Sequence, residues 1–127
     1  MCGITGFIDY NKRTKGDVII RMTNSLHHRG PDDNGTFFDQ KDNYNIGLGQ
    51  TRLSILDLSP NGRQPMFFRK WIIIFNGEIY NFKEIGKQLI GAGYELISGS
   101  DTEVILKAFD YWGIEAVHKF IGMFAFV

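Results

Sequence analysis

Residues 71–81 read WIIIFNGEIYN, and they carry the strongest local signals in the chain. Trp71 to Phe75 is an unbroken apolar run of five, a length that Met123 to Val127 equals, and both are far too short to span a bilayer as a helix. With Lys70 before it and Asn76 after it, the run predicts a buried strand over Lys70–Phe75. Asn76-Gly77 then has two readings. The pair favours a tight hairpin turn. It also suits an oxyanion hole, with the Asn76 carboxamide and the Gly77 backbone N–H aimed at one developing negative charge and no Cβ to block approach. From Asn81 the pattern turns helical over Asn81–Ile90, with Asn81 as N-cap and Glu84 three residues on.

Working outward from this stretch, Gly3–Asp9 (GITGFID) predicts a short strand. Asp17–Leu26 sets Val18, Ile19, Met22 and Leu26 near the helical period, with Asp17 as N-cap; Gly30 and Pro31 stop the helix. Gly35–Asp39 and Tyr44–Leu48 read as two strands around a polar turn. Arg52–Leu58 alternates imperfectly and is closed by a loop over Ser59–Gly62. Downstream, Tyr94–Ile97 reads as a short strand, and Ser100–Glu103 as a capping box opening a helix over Thr102–Trp112. Ile114–Phe120 adds a helical turn or two, and Gly122–Val127 is strand-like. The pattern predicts a single α+β domain over 1–127, with helices layered on antiparallel sheets. The apolar stop at Val127 predicts a domain that is incomplete at its C-terminal end.

Composition narrows the function. The 127 residues are 43% apolar and 22% charged, with a formal net charge of +0. That is globular composition, and it offers no electrostatic capture of nucleic acid or anionic membrane. A single cysteine excludes an internal disulfide and a multi-cysteine zinc site. His27 and His28 are adjacent, point in different directions on a helix and do not chelate one metal well, so no metal is expected. No basic segment leads into an apolar run at the start, so a cytoplasmic setting is expected.

Beyond Asn76-Gly77, four places could carry chemistry. Cys2 would become the first residue once Met1 is removed. It would then hold a thiol and a free α-amine, and an α-amine titrates at about 7.7–8.0, near enough to neutral to act as a general base. The alternative for Cys2 is a buried structural thiol. Arg29-Gly30-Pro31-Asp32 is either a helix end and turn or a loop supporting a pocket. Arg52, among Leu53, Ile55 and Leu56, requires a carboxylate partner, whether Asp57, Asp32 or a bound amino acid. Asp101 either helps open a helix or binds an α-ammonium group. No Gly-x4-Gly-Lys-Ser/Thr loop is present, so ATP binding within this stretch is not expected.

The order of these segments is more specific than any one of them. MCGITGF (1–7), RGPD (29–32), RLSI (52–55), NGEIYN (76–81), SDTE (100–103) and GMFAF (122–126) together resemble the glutaminase domain of asparagine synthetase. This is the class II glutamine amidotransferase family, of the N-terminal nucleophile (Ntn) hydrolase fold. The resemblance implies an αββα sandwich of antiparallel sheets flanked by helices. It implies Cys2 as nucleophile and Asn76 with Gly77 as oxyanion hole. Arg52 and Asp101 would clamp the carboxylate and ammonium of L-glutamine, and Leu53, Ile55 and Glu78 would add contacts. Arg29, Gly30 and Asp32 would support the nucleophile's pocket. No cofactor is implied for this domain. The family domain continues past the last strand, and a C-terminal synthetase domain carrying ATP and Mg²⁺ is implied. The alternative is a catalytically inactive fragment, or a glutamine-binding regulatory module of the same fold.

Overall fold

The computed structural model describes residues 2–53 and 62–127. In chain order its elements are β1 (Gly3–Asp9), α1 (Gly16–Ser25), β2 (Asp33–Gln40), β3 (Asn45–Arg52), β4 (Met66–Phe68), β5 (Trp71–Ile73), β6 (Phe75–Ile79), α2 (Phe82–Gly91), α3 (Asp101–Trp112) and β7 (Gly122–Phe126). Short 3₁₀ segments cover His27–Arg29 and Gly113–Lys119.

The fold is α+β, and every sheet is antiparallel. β3 lies between β1 and β2, β4 pairs with β5, and β6 pairs with β7. Because side chains alternate across a strand, the two faces of the first sheet have different neighbours. On one face Thr23 of α1 lies against Gly49, and the Phe7 and Phe38 rings flank Gly47, with centroids 6.4 Å apart. On the other face Phe37 meets Phe67 of β4, with centroids 5.7 Å apart. α3 in turn packs on β4, β5 and β6 and against α2. The layers therefore run helix, sheet, further strands, helices.

The main core lies in the second half of the chain. Ile73, Phe75, Ile79, Ile85, Leu89 and Ile105 are buried there. α3 is buried from Asp101 through Ala108, so it is packed on nearly every side, and its buried polar residues must find partners within the protein. Its two long charged side chains, Glu103 and Lys107, pair one turn apart. Many of the phenylalanines gather beside it, with Phe109 in edge contact with Trp71 and Phe126.

Several sequence expectations are corrected. The apolar run 71–75 is not one strand: it breaks at Ile74 into β5 and β6, and β4 precedes it with Arg69 at φ 53 in the intervening turn. Asn76-Gly77 is no hairpin turn, because it sits inside β6 opposite Ala125 and Phe124. Arg52 ends β3 rather than starting a strand; the expected strand beyond it and the loop over 59–61 lie outside the described residues. Tyr94–Ile97 forms no strand, because the Ile97 and Ser98 N–H groups donate to the Glu103 carboxylate instead of to a neighbouring strand. Asp17 is not an N-cap; it lies in the first turn of α1 and pairs with Arg21. Asn81 is the N-cap residue of α2, as expected, but its side chain makes no capping bond and goes instead to Lys119 O and the Ile121 N–H.

Ile105→Ala is expected to cost about 2–5 kcal/mol, read as a lower denaturant midpoint. Ile114→Ala, at a site 71% exposed, is expected to change stability by less than about 0.5 kcal/mol.

Candidate active site

Pairing register brings the two ends of the first sheet together. β1 and β3 align Gly3 with Thr51, so the residue before β1 reaches the end of β3. There the Leu53 N–H donates to Cys2 Sγ at 3.4 Å, and the Cys2 S–H donates to Leu53 O at 3.8 Å. The backbone of one residue thus offers the sulfur both an acceptor for its proton and a donor for negative charge. Cys2 is further held by Arg29, whose Nε donates to its carbonyl at 3.2 Å.

The 29–32 segment braces Arg52. Pro31 bridges to Arg52, the Asp32 N–H donates to Arg52 O at 3.1 Å, and Gly30 packs on the Arg52 backbone. Arg52 itself is buried, with its guanidinium against Gly62.

β6 supplies the opposite wall. Ile74 and Val127 exchange both backbone hydrogen bonds at 3.0 Å, and the Tyr80 N–H donates to Ile121 O at 2.7 Å. In an antiparallel ladder such pairs alternate with pairs whose polar groups point away. The N–H groups of Phe75, Gly77 and Ile79 therefore point away from β7. The outer two are satisfied by side chains. The Phe75 N–H donates to Gln64 Oε1 at 2.6 Å, and the Ile79 N–H donates to Asp101 Oδ2 at 3.0 Å. Gly77 lies between them at the cavity wall. Its φ of 151° and its contact with β7, where a Cβ would fall 2.3 Å from Met123 O, both require glycine.

A cavity of ≈ 250 Å³ joins these walls, lined by Cys2, Arg52, Leu53, Asn76, Gly77, Glu78 and Asp101 among others. Seven residues singled out from the sequence therefore share one space. Arg29, Gly30 and Asp32 lie behind it as bracing, and Ile55 lies outside the described residues. Gln64 and Thr102 also line the cavity and escaped the sequence reading. Gln64 falls in a loop without periodicity, and Thr102 reads only as part of a helix start.

The two acids at the start of α3 are shifted in opposite directions. Burial raises the Asp101 carboxyl above its usual range; the Ile79 and Thr102 N–H groups pull it back, and the nearby charge of Glu78 pushes it up again. Two residues on, burial also opposes ionisation of Glu103. There the Ile97 N–H, Lys107 and Ser98 outweigh it, and the carboxyl is held below its usual range. The described residues hold no group of three His, Cys, Asp or Glu placed to bind a metal ion, and no helix among them is long and apolar enough to cross a membrane.

Comparison with known proteins places this geometry in a family. The chain is 42% identical to a protein of Methanocaldococcus jannaschii provisionally named glutamine-hydrolyzing asparagine synthetase 2, over 99% of this chain and 27% of that one. It is 40% identical to glutamine-hydrolyzing asparagine synthetase 1 of Bacillus subtilis, over 100% of this chain and 20% of the relative. It is 36% identical to amidase chry2 of Gibberella zeae, again over 100% of this chain and 20% of the relative. The chain thus spans about a quarter or less of the lengths of these relatives. The model of the glutamine amidotransferase domain matches residues 1–127 from end to end, and the chain belongs to that family.

Proposed function

We propose that this domain hydrolyses the side-chain amide of L-glutamine and hands the ammonia to a synthetase domain of the same protein, in the cytoplasm, where thiols stay reduced. The observation that carries the reading is the convergence of Cys2, Arg52, Gly77 and Asp101 on one cavity. The names of the asparagine synthetase relatives support both the substrate and the partner domain. The amidase relative leaves the acceptor of the ammonia open.

Removal of Met1 frees the α-amine of Cys2, which takes the thiol proton directly or through a water. The sulfur attacks the carboxamide carbon, while the Leu53 N–H holds negative charge on sulfur as the proton leaves. The carbonyl oxygen becomes an oxyanion between the Gly77 N–H and the Asn76 carboxamide; losing one such donor costs about 10²–10³ in rate. The α-amine passes its proton to the departing nitrogen, ammonia leaves and a thioester remains. Water adds to the thioester through a second oxyanion and releases glutamate. Arg52 receives the α-carboxylate and Asp101 the α-ammonium. A substrate lacking either group forgoes one charge-assisted contact with the site, which is the basis of selection. Glu78 and Leu53 complete the lining. ATP and Mg²⁺ enter no step here and belong to the synthetase domain.

Cys2→Ala in the full protein is expected to abolish ammonia release from glutamine with little change in melting temperature, and the active parent is expected to be lighter by one methionine in intact mass. A parent that keeps Met1 and releases no ammonia would instead fit a glutamine-binding regulatory module. Arg52→Ala is expected to raise KM by roughly 30-fold or more, the loss of one partner from a buried charge pair. Asp101 gives a pH signature. Its folded pKa is raised, so the folded chain holds that proton more tightly than the unfolded chain, and the ionised form subtracts stability as pH rises. Asp101→Asn should therefore melt higher than the parent at neutral pH, with the gap closing towards about pH 3. In the parent, KM should rise on acidification from a pH above the usual carboxylate value of about 3.9.

A further inference from the structure

Gln64 lies between the two halves of the cavity and touches both. Its Oε1 accepts the Phe75 N–H at 2.6 Å, and its Nε2 donates to Thr102 Oγ1 at 3.2 Å. One carboxamide therefore ties the edge of β6, two residues before Gly77, to the first turn of α3, one residue after Asp101. Its backbone is fixed independently. It lies over Gly35 of β2, where a Cβ would fall 2.0 Å from Gln64 O. The preceding Arg63 grips Asp33 with two hydrogen bonds, at 2.7 and 3.1 Å. Gln64 is thus a strut from the first sheet to the join between β6 and α3.

We propose that Gln64 is a positioning residue that sets the span between the oxyanion site and the ammonium anchor, and so tunes the site to a side chain of glutamine length. This inference rests on the glutaminase reading above. The ruler is the strand itself. The N–H groups of Gly77 and Ile79 are two residues apart, about 6.6–6.8 Å along β6, and Asp101 docks on the second of them. Asparagine is one methylene shorter and cannot reach both places at once. The ruler holds only while α3 stays in register with β6. Asp101 makes one side-chain tie between them, and Gln64 with Thr102 makes the other. Without the second tie each end of glutamine still finds its partner, but the carboxamide carbon is misplaced against sulfur. Misplacements of about 1 Å cost on the order of 10²-fold in rate.

The test compares Gln64→Met, Thr102→Val and Thr102→Ser with the parent full-length protein, measuring ammonia release from L-glutamine and L-asparagine and amide hydrogen exchange at Phe75. Gln64→Met is expected to lower kcat for glutamine by roughly 10–10²-fold, to shift KM much less, to narrow the glutamine-to-asparagine preference and to speed exchange at Phe75. Thr102→Val should lower kcat in the same direction, Thr102→Ser should keep it near parental, and Gln64→Met with Thr102→Val should be no worse than Gln64→Met alone. Folded Gln64→Met and Thr102→Val variants with parental kcat and parental selectivity would overturn the inference and leave the glutaminase reading intact, as would losses that multiply in the double variant. If Gln64→Met does not fold, the contrast between Thr102→Val and Thr102→Ser decides. A parent that releases no ammonia from glutamine overturns both readings together.

Discussion

A strand edge that faces a cavity must find partners for its N–H groups, and β6 does so with side chains from elsewhere in the chain. Gln64 takes the N–H of Phe75, and Asp101 takes that of Ile79. Leaving a buried donor unmade costs about 1–3 kcal/mol, so these two bonds fix where β6 can lie. The donor between them, at Gly77, faces the cavity. A site that must stabilise a transient oxyanion benefits from a donor already in place, because nothing reorganises when charge appears. The satisfied neighbours thus hold the open donor still.

The same bonds make the N-terminus of α3 a charged corner. Asp101 is buried and raised in pKa, at a helix end whose dipole favours a carboxylate. The Ser100 hydroxyl accepts the Thr102 N–H there and caps the helix. In the same first turn, Glu103 gathers the Ile97 and Ser98 N–H groups and pairs with Lys107, which also donates to Glu95 O. This buried pair fixes the 95–98 segment that leads into the corner. Breaking such a pair by removing one partner is costly. The segment therefore owes its shape to side-chain acceptors, not to a ladder.

That division explains what the sequence disclosed. β1 and α3 were legible because their patterns follow from their own residues: GITGFID is a short run closed by Asp9 and a polar turn, and Ser100 caps the helix that follows it. The residues that line the cavity stood out in the sequence because six short motifs fall in a fixed order, an order that carries more than any single spacing. What could not be read depended on partners distant in sequence. WIIIF has no internal mark of the break at Ile74, which follows from β7 pairing alongside. Asn76-Gly77 is a strong turn signal until β7 supplies five paired residues opposite it. Tyr94–Ile97 looks like a strand until Glu103 claims its backbone donors. Gln64 has no local signature, because a side chain capping a strand edge eleven residues away leaves no periodicity.

Layering decides which group meets which end of a substrate. The sulfur and Arg52 come from the first sheet, at the end of the β1–β3 pairing. The Gly77 N–H and Asp101 come from the next layer, through β6 and α3. A bound amino acid would then lie across the join, with its reacting carbon between a nucleophile on one side and a donor on the other. Neither layer alone holds a complete set. The shape of this cavity therefore depends on how the sheets are seated against each other, and three contacts among the described residues bear on that seating. Phe37 against Phe67 sets the spacing, Arg63 on Asp33 fixes the register, and Gln64 carries that register to β6. Each of these contacts is remote in sequence from Cys2, yet each acts on where the sulfur sits relative to Gly77.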